Sequence, residues 1–214
     1  MEYTPTKIEE LDILSAAIQD QCEDVEWSRS LRIEDDHHIL YAGNPNSPIT
    51  VVQMHPDRSE LSFALNDNVH NKYICTGPEG NKFRKAARDA GFDEENDFFY
   101  TNIIPFYPLA GHPYTENTIR NLLWIFDGVI EIVKPKIIIT IGYEPFNIVR
   151  GGNIEWLQFD NIIRTRQLIY PLDNTDYVIV PIGENSHNSK KGFYSILKTL
   201  FTNQYYVLGD KNNE

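Results

Sequence analysis

The stretch KIIITIG, residues 136 to 142, constrains the fold more than any other part of the chain. Successive side chains of a strand point to opposite faces. A strand that is apolar on both must be covered on both. That is the situation of a parallel strand between two layers of helices.

The neighbouring patterns agree with such a plan. Thr6-Lys7-Ile8-Glu9 has the spacing of a capping box and opens a helix over about 7–21, with Ile8, Leu11, Leu14 and Ile18 at helical intervals. The turn cluster AGNPNSP precedes a short apolar strand at 49–54. A Gly-Pro entry leads into a helix over 77–90, with Phe83, Ala86, Ala87 and Ala90 on one face and Gly91 placed to stop it. FFYTNII marks a strand over 98–104. Thr115 opens a helix to 133 whose buried stripe is expected to be Ile119, Leu122, Leu123, Phe126, Ile130 and Val133. The strand at 136–142 follows, then a short helix at 144–149, an excursion from Arg150, a strand at 176–182 and a helix at 192–202.

Strands alternating with helices predict an α/β fold: a three-layer α/β/α sandwich around a mainly parallel sheet of about four strands. The expected organisation is an N-terminal helical segment packed on the domain (1–40), an α/β domain (41–205) and a flexible tail (206–214).

Hydrophobic residues make up 41% of the chain and charged residues 23%, enough for a real core. The net charge of −12 means that any contact with nucleic-acid phosphates needs a local basic patch. Two cysteines, Cys22 and Cys75, are too few for an iron–sulfur cluster, and no CxxC pair suggests a zinc ribbon. A solvated loop is the expected setting of the pair His37-His38, so no metal or cofactor is expected. The N-terminus lacks the features of a signal peptide, and no apolar run reaches the roughly 18 residues of a membrane span, so a cytoplasmic, non-secreted protein is expected.

Open parallel sheets bind ligands beyond the carboxyl ends of their strands. His55, Asn102 and His187 all fall in the segments that leave the predicted strands at that edge.

The motifs at this edge are similar to those of the uracil-DNA glycosylase superfamily. AGNPNSPITVVQMHP resembles the family's turn, strand and first motif, and TGPEGNKFRKAARDAGF its G-x-x-G helix entry. YTNIIPFYP resembles the strand that carries a base-reading asparagine, and KPKIIITIGYEPFNIV the following strand and helix. VIVPIGENSHNSKKGF resembles the stretch holding a His-Pro-Ser motif. The similarity runs from about 42 to 200. Met54-His55-Pro56 is nearest the single-strand-selective branch, which reads Met-Asn-Pro, so His55 stands in the asparagine's place. The His-Pro-Ser motif corresponds to His187-Asn188-Ser189, or in another register to Glu184-Asn185-Ser186.

The resemblance implies a uracil-DNA glycosylase-like fold and an N-glycosyl hydrolase of DNA repair. Such an enzyme flips a base from DNA, single- or double-stranded, and excises uracil or a modified pyrimidine. Asn102 would read the base, and His187 would stabilise the developing oxyanion. His55 would position or deprotonate water, or else hold a tight His-Pro turn; Asp57 and Glu60 are the other carboxylates within reach of that role. Cys75 falls where the family places a stacking aromatic, which points to Tyr73 two residues earlier. Met54, Phe106 and Tyr107 are expected around the base, and Ser189, Lys190 and Lys191 against DNA. Two other functions remain open: a catalytically altered module that binds nucleic acid or a protein partner, and an N-glycosidase of free nucleosides or nucleotides.

Overall fold

The structure is a computed structural model that describes residues 4–22, 38–60, 62, 74–89, 91–108, 114–165, 171–172 and 176–183. At its centre lies a five-stranded sheet in the order β1-β3-β2-β4-β5. The strands are β1 (Tyr41–Gly43), β2 (Ile49–Gln53), β3 (Phe99–Asn102), β4 (Ile137–Ile141) and β5 (Val178–Ile182). β2, β3, β4 and β5 run parallel, as expected, while β1 pairs antiparallel with β3. β1 corrects the expected count of about four. Tyr41 and Ala42 belong to an edge strand held by pairing to Tyr100 and Thr101, not wholly to a loop.

β4 lies inside the sheet, between β2 and β5, as its composition requires, and all five of its residues are buried. β5 contains Pro181, opposite Thr140. A proline cannot donate to a ladder and is confined to edges, which is where this strand lies.

Helices cover both faces. On one, Val52, Phe99, Ile138 and Ile179 join a core with α1 (Lys7–Cys22), α3 (Glu116–Val133), α4 (Tyr143–Arg150) and α5 (Trp156–Thr165). On the other, Ile49, Val51, Tyr100, Ile137 and Ile139 pack against Phe83, Ala86 and Ala87 of α2 (Pro78–Asp89). Three layers result, as the alternating pattern predicts.

Local chemistry starts and stops these helices. In the capping box of α1, the Thr6 amide donates to Glu9 Oε2 at 2.7 Å and the Glu9 amide to Thr6 Oγ1 at 3.4 Å. α2 ends in a paired closure, with Gly91 N–H on the Arg88 carbonyl (2.9 Å) and Phe92 N–H on that of Ala87 (3.0 Å). Thr115 caps α3, accepting from the Thr118 amide at 3.1 Å.

Two expectations shift. Ile8 of α1 is half exposed, while Leu11, Ile18 and Cys22 are buried. The buried stripe of α3 is Thr118, Leu122, Ile125, Phe126, Val129 and Val133, rotated from the expected set because this helix meets both the sheet and α1. α5 occupies part of what reads in sequence as an excursion. The expected helix at 192–202 lies outside the described residues. Among the described residues no helix is long and apolar enough to cross a membrane.

Candidate functional site

The carboxyl ends of β2 and β3 lie side by side, with Gln53 in register with Asn102. The pairing runs past the strands: Ile103 N–H donates to the Gln53 carbonyl and Ile104 N–H to that of Met54, both at 2.9 Å. His55 and Asn102 therefore leave the sheet at the same edge, as the sequence predicts.

Asn102 is almost fully buried, at 1% exposure. Its Nδ2 donates to the Ile39 carbonyl at 2.9 Å, which fixes the orientation of the amide. Its Oδ1 is buried and, among the described residues, has no hydrogen-bond partner. A buried acceptor left unpaired costs about 1–3 kcal/mol, so such atoms are uncommon without a cause.

The His55 ring lies edge-on between two tyrosines, with centroids 6.3 Å from Tyr107 and 5.9 Å from Tyr114. Nδ1 is 2.9 Å from the Pro56 carbonyl. A carbonyl only accepts, so Nδ1 carries a proton, and the tautomer this contact selects has its lone pair on Nε2. The turn at His55-Pro56 thus selects the ring's tautomer. Tyr114 donates its hydroxyl to the Phe106 carbonyl at 2.7 Å, and burial raises its pKa.

Met54 is half-buried against the core. Phe106 is fully enclosed within that core, its ring 6.1 Å from His38, and supports the edge from beneath. Tyr73, His187, Ser189, Lys190 and Lys191 lie outside the described residues.

Glu60 and Gln53 complete the site, and sequence reasoning underrates both. Glu60 is fully buried. Its Oε2 accepts from Gln53 Nε2 and the Asp57 amide, both at 2.8 Å. Its Oε1 accepts from the amides of Thr76 (2.6 Å) and Gly77 (3.1 Å). Burial pushes the carboxyl above its ordinary range, opposed by these four donors. The spacing Asp57-Arg58-Ser59-Glu60 is itself a helix-entry signal that points to the Asp57 contact. For Gln53 the signal is an amide ending an otherwise apolar strand.

Cys75, in place of an aromatic, is fully buried and donates to Gln53 Oε1 at 3.4 Å; burial pushes its thiol up. Two clefts among the described residues lie away from this edge. One of about 350 Å³ sits between α3 and α4, and one of about 360 Å³ lies beside β1 and Arg84. Among the described residues no group of three or more His, Cys, Asp or Glu side chains could hold a metal ion.

The family model described as Uracil DNA glycosylase superfamily matches residues 40–199. No curated protein matches the chain. The matched span takes in all five strands, the buried amide of Asn102 and the His55 turn, and it covers well over half of the sequence: the chain belongs to the uracil-DNA glycosylase superfamily.

Proposed function

We infer that the protein is a DNA glycosylase that flips out uracil or a modified pyrimidine and hydrolyses its N-glycosidic bond. One observation carries the reading: at the carboxyl edge the Asn102 amide is held in one orientation, and its Oδ1 has no partner among the described residues. A uracil-type edge offers an N3–H donor beside an O4 acceptor. Oδ1 supplies the missing acceptor, and the second Nδ2 proton supplies the donor.

Breaking the bond builds positive charge on the sugar and negative charge on the departing base. The Nε2 lone pair of His55 suits it to take a proton from water as the bond opens. From the family motifs, His187 donates to the developing O2 oxyanion, Tyr73 stacks on the base with Met54 nearby, and Ser189, Lys190 and Lys191 meet the DNA backbone.

The test uses labelled oligonucleotides carrying uracil, hypoxanthine or a modified pyrimidine, single-stranded and duplex. Alkali after incubation should cut at the abasic product. Asn102→Ala should lower the single-turnover rate by on the order of 10²- to 10³-fold, the loss typical of a preorganised polar group. Intact oligonucleotides across the whole panel would overturn the reading. A second reading, a binding module without catalysis, is favoured by His55 standing where the single-strand-selective branch has asparagine. Oligonucleotide binding that weakens in Asn102→Ala without any abasic product would select it. Free base released from nucleosides alone would instead select a small-molecule N-glycosidase.

A further inference from the structure

The geometry points to Glu60 as the positioning residue for His55: one buried carboxylate grips the histidine turn on both sides and fastens it to the entrance of α2. The role rests on reading His55 as the group that activates water.

Oε2 takes its two donors from Gln53, two residues before His55, and from Asp57, two residues after it. Met54-His55-Pro56 is thus the bridge of a loop whose ends share one oxygen atom. Oε1 ties that loop to the amides of Thr76 and Gly77. This second anchor is itself rigid. Arg84 of α2 is buried and donates to the carbonyls of Ile74 (2.7 Å) and Cys75 (3.0 Å). A side chain at Gly80 would overlap the Cys75 backbone, and one at Gly77 would come within 2.9 Å of Asp57. The connection therefore runs from α2 through residues 74–77 and Glu60 to His55. The tyrosines set the ring plane, and the carboxylate sets where the backbone carries it. Displacing a reacting group by about 1 Å can cost on the order of 10²-fold in rate.

All four groups seen hydrogen-bonded to Glu60 are donors. Glu60→Gln keeps the shape but turns an NH₂ against two of them. The companion swap, Gln53→Glu with Glu60→Gln, makes position 53 the acceptor and position 60 the donor, and so restores their mutual bond. Rates are measured in single turnover on a uracil oligonucleotide, at a temperature where circular dichroism shows each variant fully folded. Glu60→Gln should lose on the order of 10²-fold in rate, with KM for the oligonucleotide unchanged, and the swap should recover much of the loss. A parallel measurement needs no activity: the nitrogen-15 signals of the His55 ring should shift in Glu60→Gln, and amide exchange should quicken at Asp57, Thr76 and Gly77 but not in β4. An inactive wild-type protein would sink the glycosylase reading and leave the ring signals to decide this one. Unmoved ring signals in Glu60→Gln, or a swap as impaired as the single variant, would overturn the positioning role.

Discussion

Cys75 has φ of 57°, one of two positive values at non-glycine residues among the described residues. It sits fully buried under α2, with its sulfur on Gln53. The thiolate is the reactive form of cysteine, and burial pushes this thiol up. Cys22 is 2% exposed at the end of α1. Neither thiol should react with Ellman's reagent at neutral pH in the native protein, and both should react once guanidinium unfolds it. Prompt native labelling at Cys75 would mean that the packing around it opens readily. Residues of this kind differ in how far the sequence exposes them. The places of Asn102 and His55 at the sheet edge are legible because one ends an apolar strand and the other follows one by two residues, and the carboxyl edge of a parallel sheet is where ligands bind. The bonds of Glu60 are less so. Its contact with Asp57 follows from a spacing of three, but those with Thr76 and Gly77 span 16 and 17 residues and exist only once the chain has folded.

At the scale of the element, α2 and α3 show how much a single end residue controls. Gly91 has φ of +92°, and a Cβ there would meet nothing within 4 Å. Gly91→Ala therefore adds backbone strain without a clash, and should cost about 1–2 kcal/mol. A urea titration should show a lower midpoint with an unchanged slope. Thr115→Ala removes the side-chain acceptor at the start of α3 and should cost about 1 kcal/mol by the same titration. A midpoint unmoved by Thr115→Ala would mean that α3 is held by packing alone. Caps and long apolar runs are local signals, which is why these two helices and β4 can be read from sequence. β1 cannot, because three residues carry no periodicity and their order comes from β3. α5 is hidden for another reason. Phe159, Ile162 and Ile163 pack against the core, but the exposed Trp156 and Leu157 are apolar too and blur the pattern. The Trp156 ring rests instead against Tyr143 and Phe159.

At the scale of the molecule, the alternation of strands and helices predicts the layers, whereas the strand order emerges only from the paired register. The same scale governs how an acidic protein meets DNA. With a net charge of −12, the body repels a polyanion, so binding must rely on a few local cations and on the base itself. Each phosphate neutralised releases counterions and makes affinity fall with salt, with a log–log slope of about −0.7 per contact for single strands and −0.9 for duplex. If Lys190 and Lys191 each meet one phosphate, the slope for a uracil oligonucleotide should lie near −1.4 single-stranded and −1.8 duplex. Replacing both lysines by alanine should bring it close to zero, while the preference for uracil over cytosine persists, because phosphate contacts position the strand and base contacts specify it. A slope of about −6 or steeper would require several more phosphate contacts, and would place the DNA on a basic surface larger than these two lysines provide. A slope near zero in the unaltered protein would remove both lysines from the interface and leave the amide of Asn102 with a substrate held by its base alone.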